Sequence, residues 1–474
     1  MRLGNIPIIK ERRLNCINWL LEGKYRIIDA GEIKVIIFPE IPLWFVVDKK
    51  GFSAIKRIAE QIDLEEDNFD LADPKFSSAS PPSPRGYIKW TKKKINELGS
   101  NVISPSFSER FDSLVLEITD TCNLRCPHCY VESAPLKHNN LSSEDIIRAV
   151  GEAYEIGLRS IALTGGEIFT RSDIFEILDE IYPISEDMRL HLYTNGTLLT
   201  ENMFAQMNPK QKLTLVISLD GSSPGIHDRI RGKNSFERTI RCVELAREFN
   251  YPVILQCTIF SHNINDYENI IELAEKLEVK KLTFNPLQTL GRLRKNIELR
   301  PSVDELARLD ENIERFVKSR CEKGIALNVK VYGPLHWART RMCYTGRWIR
   351  CSSHPSIHIF QDGSISFCQF YRNLSKKLNI KKISLAKAIS SWEFTRIKKM
   401  NVVDHIYTCQ SCTFKYICGG GCRGIANHYG KNFFDPDPTC EDYRRAFFLL
   451  MLCSAKYSKS PHNLTWRAYT SESA

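Results

Sequence analysis

Two groups of cysteines at short, repeated spacing constrain this chain more than any other feature. The first is Cys122-x-x-x-Cys126-x-x-Cys129. The second opens with Cys343 and Cys351 and continues through Gly363-x-x-x-x-Cys368. It then runs through Cys409-x-x-Cys412, Cys418-x-x-x-Cys422 and Cys440. Together they hold eleven of the sixteen cysteines. Thiolates suit zinc, copper(I) or iron–sulfur clusters, and short spacing lets one loop wrap one centre. Both patterns read as iron–sulfur ligation. Three close cysteines cannot supply all four corners of a cluster, so the first site keeps one iron open to an outside ligand. An open metal position is a catalytic feature.

At 474 residues the chain exceeds one ordinary core, and two or three domains are expected. Apolar residues make up 43%, so a folded globular protein is expected. The net charge of +10 is spread over short runs such as Lys92–Lys94, Lys376-Lys377 and Lys381-Lys382, which read as solvated faces. Without interleaved aromatics they do not argue for nucleic-acid binding. The first residues, Met1–Pro7, lack an apolar h-region, and the apolar run Ala446–Cys453 is too short for a bilayer. Metal-type cysteine spacing in such a chain predicts a cytoplasmic protein with ligated, oxygen-sensitive thiols and no membrane association.

Organisation follows from pattern. Residues 1–72 form a small mixed segment, with β-rich runs Ile33–Phe38 and Leu43–Val47 split by Pro39 and Pro42, then a helix over Gly51–Gln61. Residues 73–109, with Ser- and Pro-rich Ser77–Gly86, read as a linker. Residues 110–335 alternate strand and helix. Strands are expected at Leu114–Ile118, Ser160–Leu163, Leu190–Tyr193, Leu213–Ile217, Val253–Ile259 and Lys281–Phe284. Helices are expected after Ser142, over Ser172–Ile181, around Phe236–Val243 and around Ile270–Leu277. Six β-then-α units predict an α/β fold, a parallel sheet curled into a partial (β/α)6 barrel. Each glycine-rich or polar motif follows a strand, the end at which such sheets bind ligands. Residues 336–445 are loop-rich, with a hairpin at Asp362-Gly363 that holds Cys368, and 446–474 form a C-terminal helix and tail.

These residues resemble the radical S-adenosylmethionine (SAM) superfamily, specifically members with a C-terminal SPASM domain, over roughly residues 110–445. The resemblance implies that Cys122, Cys126 and Cys129 bind a [4Fe–4S] cluster whose fourth iron takes the amino and carboxyl groups of SAM. It implies that Gly165-Gly166-Glu167 contacts the methionine amine, with glycines admitting close approach. Ser218 and Asp220 fall at ribose-side positions, Arg231 looks like a carboxylate partner, and Tyr130 occupies the aromatic position near the adenine. Carried over, Cys343, Cys351, Cys368 and Cys422 hold one auxiliary cluster, and Cys409, Cys412, Cys418 and Cys440 a second. The N-terminal segment is similar to the winged-helix peptide-recognition domains of ribosomal-peptide maturases, which add a leader peptide as a strand.

Plainer readings stand beside these. The first triad could be a zinc knuckle with His128 or His138, and the later CxxC a zinc ribbon. Cys16, Cys242, Cys257, Cys321 and Cys453 read as buried thiols. Asn195-Gly196 reads as an ordinary turn and Gly419–Gly421 as backbone slack. The expected function is reductive cleavage of SAM, with the deoxyadenosyl radical oxidising or cross-linking a side chain of a peptide. The implied partners are that peptide and an electron donor such as flavodoxin or ferredoxin. Alternatives are a maturase of a haem or metal-pterin precursor, a sulfatase-maturing enzyme, or a zinc-ribbon scaffold. Gln369 follows the hairpin cysteine where the sulfatase-maturing type resembled here carries an acid, which weakens that alternative.

Overall fold

The computed structural model describes residues 26–30, 33–38, 43–48, 111–135, 140–207, 212–324, 327–332, 356–372, 377–394, 403–430 and 432–457. The expected linker, the helix from Gly51, and Cys16, Cys343 and Cys351 lie outside these residues.

Near the N-terminus, β1 (Arg26–Ala30), β2 (Ile33–Phe38) and β3 (Leu43–Asp48) form an antiparallel sheet in the order β1-β2-β3. The strand β1 was not foreseen from sequence. Ile36 lies opposite Ile27 in one ladder and opposite Phe45 in the other.

The central sheet is built from β4 (Ser113–Thr119), β5 (Ser160–Gly165), β6 (Arg189–Thr194), β7 (Leu213–Ser218), β8 (Val253–Ile259) and β9 (Lys281–Pro286), all parallel. The helices α1 (Ser143–Glu155), α2 (Ile174–Ser185), α3 (Glu201–Gln206), α4 (Pro224–Arg231), α5 (Ser235–Glu248) and α6 (Tyr267–Lys276) connect them. Ser142 caps α1, its Oγ accepting from Asp145 N at 3.1 Å. Leu116, Leu163, Leu192, Leu215 and Leu255 alternate along the strands and join Ile146, Val150 and Ile177 of the helices in one core. Each such side chain, fully withdrawn from water, contributes roughly 1.5–3 kcal/mol. The other face of the strands turns inward and carries the polar residues.

Two additions extend the sheet beyond the six units expected. After α7 (Val303–Glu322), β10 (Asn328–Val331) pairs parallel with β9. At the opposite edge β11 (Ser356–Ile359) pairs parallel with β4, and β12 (Ile365–Ser366) closes the hairpin. The sheet thus has nine strands, in the order β10-β9-β8-β7-β6-β5-β4-β11-β12, and stays open. Short helices α8 (Leu385–Ser390), α9 (Lys415–Cys418) and α10 (Arg423–Gly430) precede α11 (Cys440–Tyr457). Phe447 of α11 is fully buried and stacks on Phe414 at 5.7 Å. No helix among the described residues is long and apolar enough to cross a membrane.

Candidate functional site

The loop after β4 carries the first cysteine triad, and its shape is set by backbone bonds. Cys122 N donates to Ala134 O (3.3 Å), Cys129 N to Cys126 O (3.3 Å), and Thr121 N to Thr119 Oγ1 (3.0 Å). Leu124 N points at Cys122 Sγ at 3.4 Å, an N–H···S contact of the kind that tunes a thiolate. Burial pushes the Cys122 thiol up to about 12 and raises that of Cys126. A bound metal would have to displace those protons.

The glycines after β5 have a different immediate purpose from the one expected. A Cβ on Gly166 would lie 1.9 Å from Thr121 O, and one on Gly165 2.3 Å from Thr119 O. Gly166 N and Glu167 N donate to Thr119 O and Thr121 O, both at 2.8 Å. The glycines therefore admit the backbone of the cysteine loop itself. The Glu167 side chain has protein partners of its own. It is fully buried, and its carboxylate accepts from Thr194 Oγ1 (2.8 Å), Asn195 N (2.7 Å) and Phe169 N (3.2 Å). The side chain thereby ties the end of β5 to the end of β6. Burial raises its carboxyl to about 7 despite those donors.

Asp220 is likewise engaged by protein groups. It is fully buried, accepting from Thr258 N (2.8 Å) and from Arg231 Nε (2.6 Å). Burial opposes its charge most strongly, yet Arg231, His128 and His227 together hold the carboxyl low. Arg231, at the end of α4, has its pKa raised by Asp220, Cys126 and Cys122 against the cost of burial. Its guanidinium thus lies beside the triad, with Nε anchored. Ser218, half-buried at the end of β7, is in register with Gln256 on the inward face. Tyr130 packs edge-on against Phe370 at 5.8 Å, which joins the triad loop to the segment after Cys368.

Several residues of this site had no motif to announce them. Gly291, at φ 56°, sits where a Cβ would lie 2.4 Å from Cys129 O. Arg292 follows, with N donating to Cys129 O (3.1 Å), Nε to Cys126 O (2.8 Å) and Nη1 to Ser133 O (2.9 Å). Asn296 Nδ2 reaches Pro127 O at 3.1 Å. The segment after β9 thus clamps the cysteine loop from across the sheet. Asn195 is more than a turn residue. Its Nδ2 donates to Asn123 Oδ1 (2.9 Å) and approaches Cys122 Sγ (4.0 Å).

In the C-terminal region Cys409, Cys412, Cys418 and Cys440 act electrostatically on one another, so the chain gathers them. Phe414 N and Phe370 N point at Cys412 Sγ (3.4 Å) and Cys368 Sγ (3.3 Å). Cys422 N donates to Asp437 Oδ2 at 2.5 Å, and Gly424 packs against Phe370, which brings the Cys422 and Cys368 segments together. Gly419, Gly420 and Gly421 are not slack: all three have positive φ, and a Cβ on Gly421 would lie 2.7 Å from Asp437. Cys242 and Cys257 are buried as expected, but Cys321 is exposed at the end of α7, and the Cys453 side chain lies outside the described residues.

Among the described residues no three His, Cys, Asp or Glu side chains converge on a point that would hold a single metal ion. A cluster attaches each thiolate to a different iron, so it does not require such convergence. Three thiols on one loop, the Leu124 amide N–H aimed at Cys122 Sγ, and a cation beside the triad fit a cluster with one open corner.

Residues 116–277 match the family model described as the Radical SAM superfamily. The chain is 25% identical over 346 residues to the AdoMet-dependent heme synthase of Methanosarcina barkeri, covering 68% of this chain and 94% of that protein. It is 30% identical over 227 residues to the antilisterial bacteriocin subtilosin biosynthesis protein AlbA of Bacillus subtilis, covering 44% of this chain and half (50%) of that protein. It is 24% identical over 355 residues to the PqqA peptide cyclase of Bradyrhizobium diazoefficiens, covering 69% and 85%. Among solved structures, SuiB of Streptococcus suis bound to its precursor peptide SuiA superposes with a TM-score of 0.56 at 15% identity. That match covers 87% of this chain and 99% of the other.

Proposed function

We propose that this chain, an enzyme whose residues 116–277 carry a radical SAM domain, modifies a peptide by oxidising or cross-linking one of its side chains. With a [4Fe–4S] cluster and SAM bound, that chemistry supplies a 5′-deoxyadenosyl radical that takes a hydrogen atom from the substrate. The single observation that carries the reading is the placement, at the carboxyl end of a parallel sheet, of three thiols on one loop that Arg292 holds through its carbonyls.

The chain's residues have separable tasks. Cys122, Cys126 and Cys129 would hold the cluster. Arg231, oriented through Nε by Asp220, presents its remaining N–H groups to the carboxylate of SAM. Ser218 offers a hydroxyl on the inward face for the ribose. Glu167 and the two glycines hold the cysteine loop in place, and Arg292 clamps it from β9. Cys368, Cys422, Cys343 and Cys351 would hold one auxiliary cluster of a SPASM domain, and Cys409, Cys412, Cys418 and Cys440 a second. The three-stranded sheet β1–β3 has two outer edges, a geometry that accepts a leader peptide as an added strand. The domain limits at 72, 109, 335 and 445, a cytoplasmic site and an electron donor of flavodoxin or ferredoxin type belong to the same reading.

A second reading has one observation in its favour, the match that spans nearly all of a heme synthase. A leader peptide separates the two. Anaerobic reconstitution should give a brown protein with about twelve irons, three clusters of about four each. Reduction with SAM should release 5′-deoxyadenosine. The triple substitution Cys122→Ala, Cys126→Ala, Cys129→Ala should remove about a third of the iron and all of the deoxyadenosine. Undiminished release from that variant would overturn the assignment.

A further inference from the structure

Away from the cysteine mouth, the inward face of the sheet carries positive charge that this chemistry leaves unused. Leu190 and Leu192 of β6 lie in the core beneath the helices, so Arg189 and His191 face inward. Leu282 and Phe284 of β9 join the same core, which turns Lys281 inward. On β10, Val329 and Val331 pack on the core, and the register Asn328↔Lys281 and Lys330↔Thr283 puts Lys330 on the inward face beside Lys281.

These groups act on one another across space. Burial lowers His191, and Arg189 and Lys281 lower it further. Burial likewise lowers Lys281, with Lys330 adding to the shift. Two strands separate β6 from β9 in the sheet. The Lys281 and His191 side chains both lie on the inward face of the sheet. None of Arg189, Lys281 and Lys330 has a carboxylate partner among the described residues. Arg159, at the same end of the sheet, shows the structural alternative. Its Nη1 donates to Tyr154 O (3.1 Å) in the last turn of α1 and to Leu158 O (2.8 Å) in the turn that follows. The inward carboxylate Glu117 is already paired with Arg372.

Like charges placed together without a counter-charge cost stability unless an anion is supplied from outside. We propose that Arg189, Lys281 and Lys330 form an anion-binding floor inside the sheet that takes carboxylate side chains of the substrate peptide. The assignment rests on the peptide reading above and names the chemistry of the segment that enters: acidic. Arg189 and Lys330 are exposed and Lys281 and His191 half-buried, so these groups are accessible from solvent.

The test uses the reconstituted full chain and a fluorescein-labelled peptide of alternating Glu and Gly, with its Gln-and-Gly counterpart as control. Fluorescence anisotropy should show binding of the first peptide only. Lys281→Gln with Lys330→Gln should weaken it about tenfold, whereas Lys281→Arg with Lys330→Arg should retain it. Lys381→Gln with Lys382→Gln, which removes exposed charge elsewhere, should leave it unchanged. Equal binding by the Lys281/Lys330 glutamine variant, or equal loss on the Lys381/Lys382 variant, overturns the floor. Displacement of the peptide by free glutarate at equal carboxylate concentration overturns the peptide assignment. Deoxyadenosine release is measured in the same samples. Its absence from the wild-type chain overturns the proposed function instead.

Discussion

Arg231 Nε lies 2.6 Å from Asp220 Oδ2, and this buried contact determines where the guanidinium beside the cysteine triad points. Asp220 is held in turn by Thr258 N, while its own carbonyl accepts from Asn263 Nδ2 at 2.8 Å. The ends of β7 and β8 and the helix α4 are therefore joined through one carboxylate.

Removing either partner should have different consequences. Asp220→Ala leaves a buried cation without its counter-charge and should destabilise the fold by about 3–5 kcal/mol. Arg231→Gln should keep more of the fold while weakening SAM binding on the order of ten- to a hundredfold, the value of a charged hydrogen bond. Thermal unfolding and SAM titration of the reconstituted protein separate the two effects, with iron content unchanged in the second variant.

The close approach at Gly166 makes a steric prediction. Gly166→Ala forces a Cβ to 1.9 Å from Thr121 O, where only backbone movement can relieve it. Soluble yield or iron content should fall sharply. Gly151→Ala, in the interior of α1 with nothing within 4 Å of its Cβ position, should instead stabilise by about 0.5–1 kcal/mol.

Glu167 makes stability depend on pH in a definite direction. Its carboxyl is raised by burial from 4.5 to about 7, so the folded chain binds this proton more tightly than the unfolded chain. The stabilisation is complete below the unfolded value and is lost as pH rises through about 7. Wild-type stability should decline by about 3 kcal/mol across that window from this group. Glu167→Gln should be less stable overall, because its amide meets the Asn195 N–H, and should have a flatter profile. Denaturant unfolding of the apo chain at a series of pH values checks both.

The clamp at Arg292 should govern how firmly the loop keeps its metal. Arg292→Ala removes two guanidinium bonds to loop carbonyls and should cost on the order of 2–4 kcal/mol. Arg292→Lys should recover part of it. The rate of iron loss to a chelator should rise in that order: wild type, lysine, alanine.

The sheet was legible because Leu114, Leu116 and Ile118, and their counterparts on the next strands, repeat with the period of a strand and stop at turn residues. Leu190–Tyr193 and Val253–Ile259 are found almost as read. What escaped was non-local. Asn328–Val331 is short and half polar, and it becomes a strand only because β9 offers it an edge. The helix Pro224–Arg231 was hidden inside a motif read for its charges. Gly291 and Arg292 form an unremarkable dipeptide until the fold sets it against Cys129. The resemblance singled out Glu167 and Asp220, but their full burial and their protein partners were invisible in the sequence.

The pairing of β11 with β4 has a mechanical consequence. The first strand of the hairpin that carries Cys368 is paired, residue against residue from Ser356 to Ile359, with the strand that leads to Cys122. The two thiol-bearing regions are thereby braced by a common girder. Any separation of one from the other would have to tear the ladder, so an electron passing between them would travel a length fixed when the chain folds.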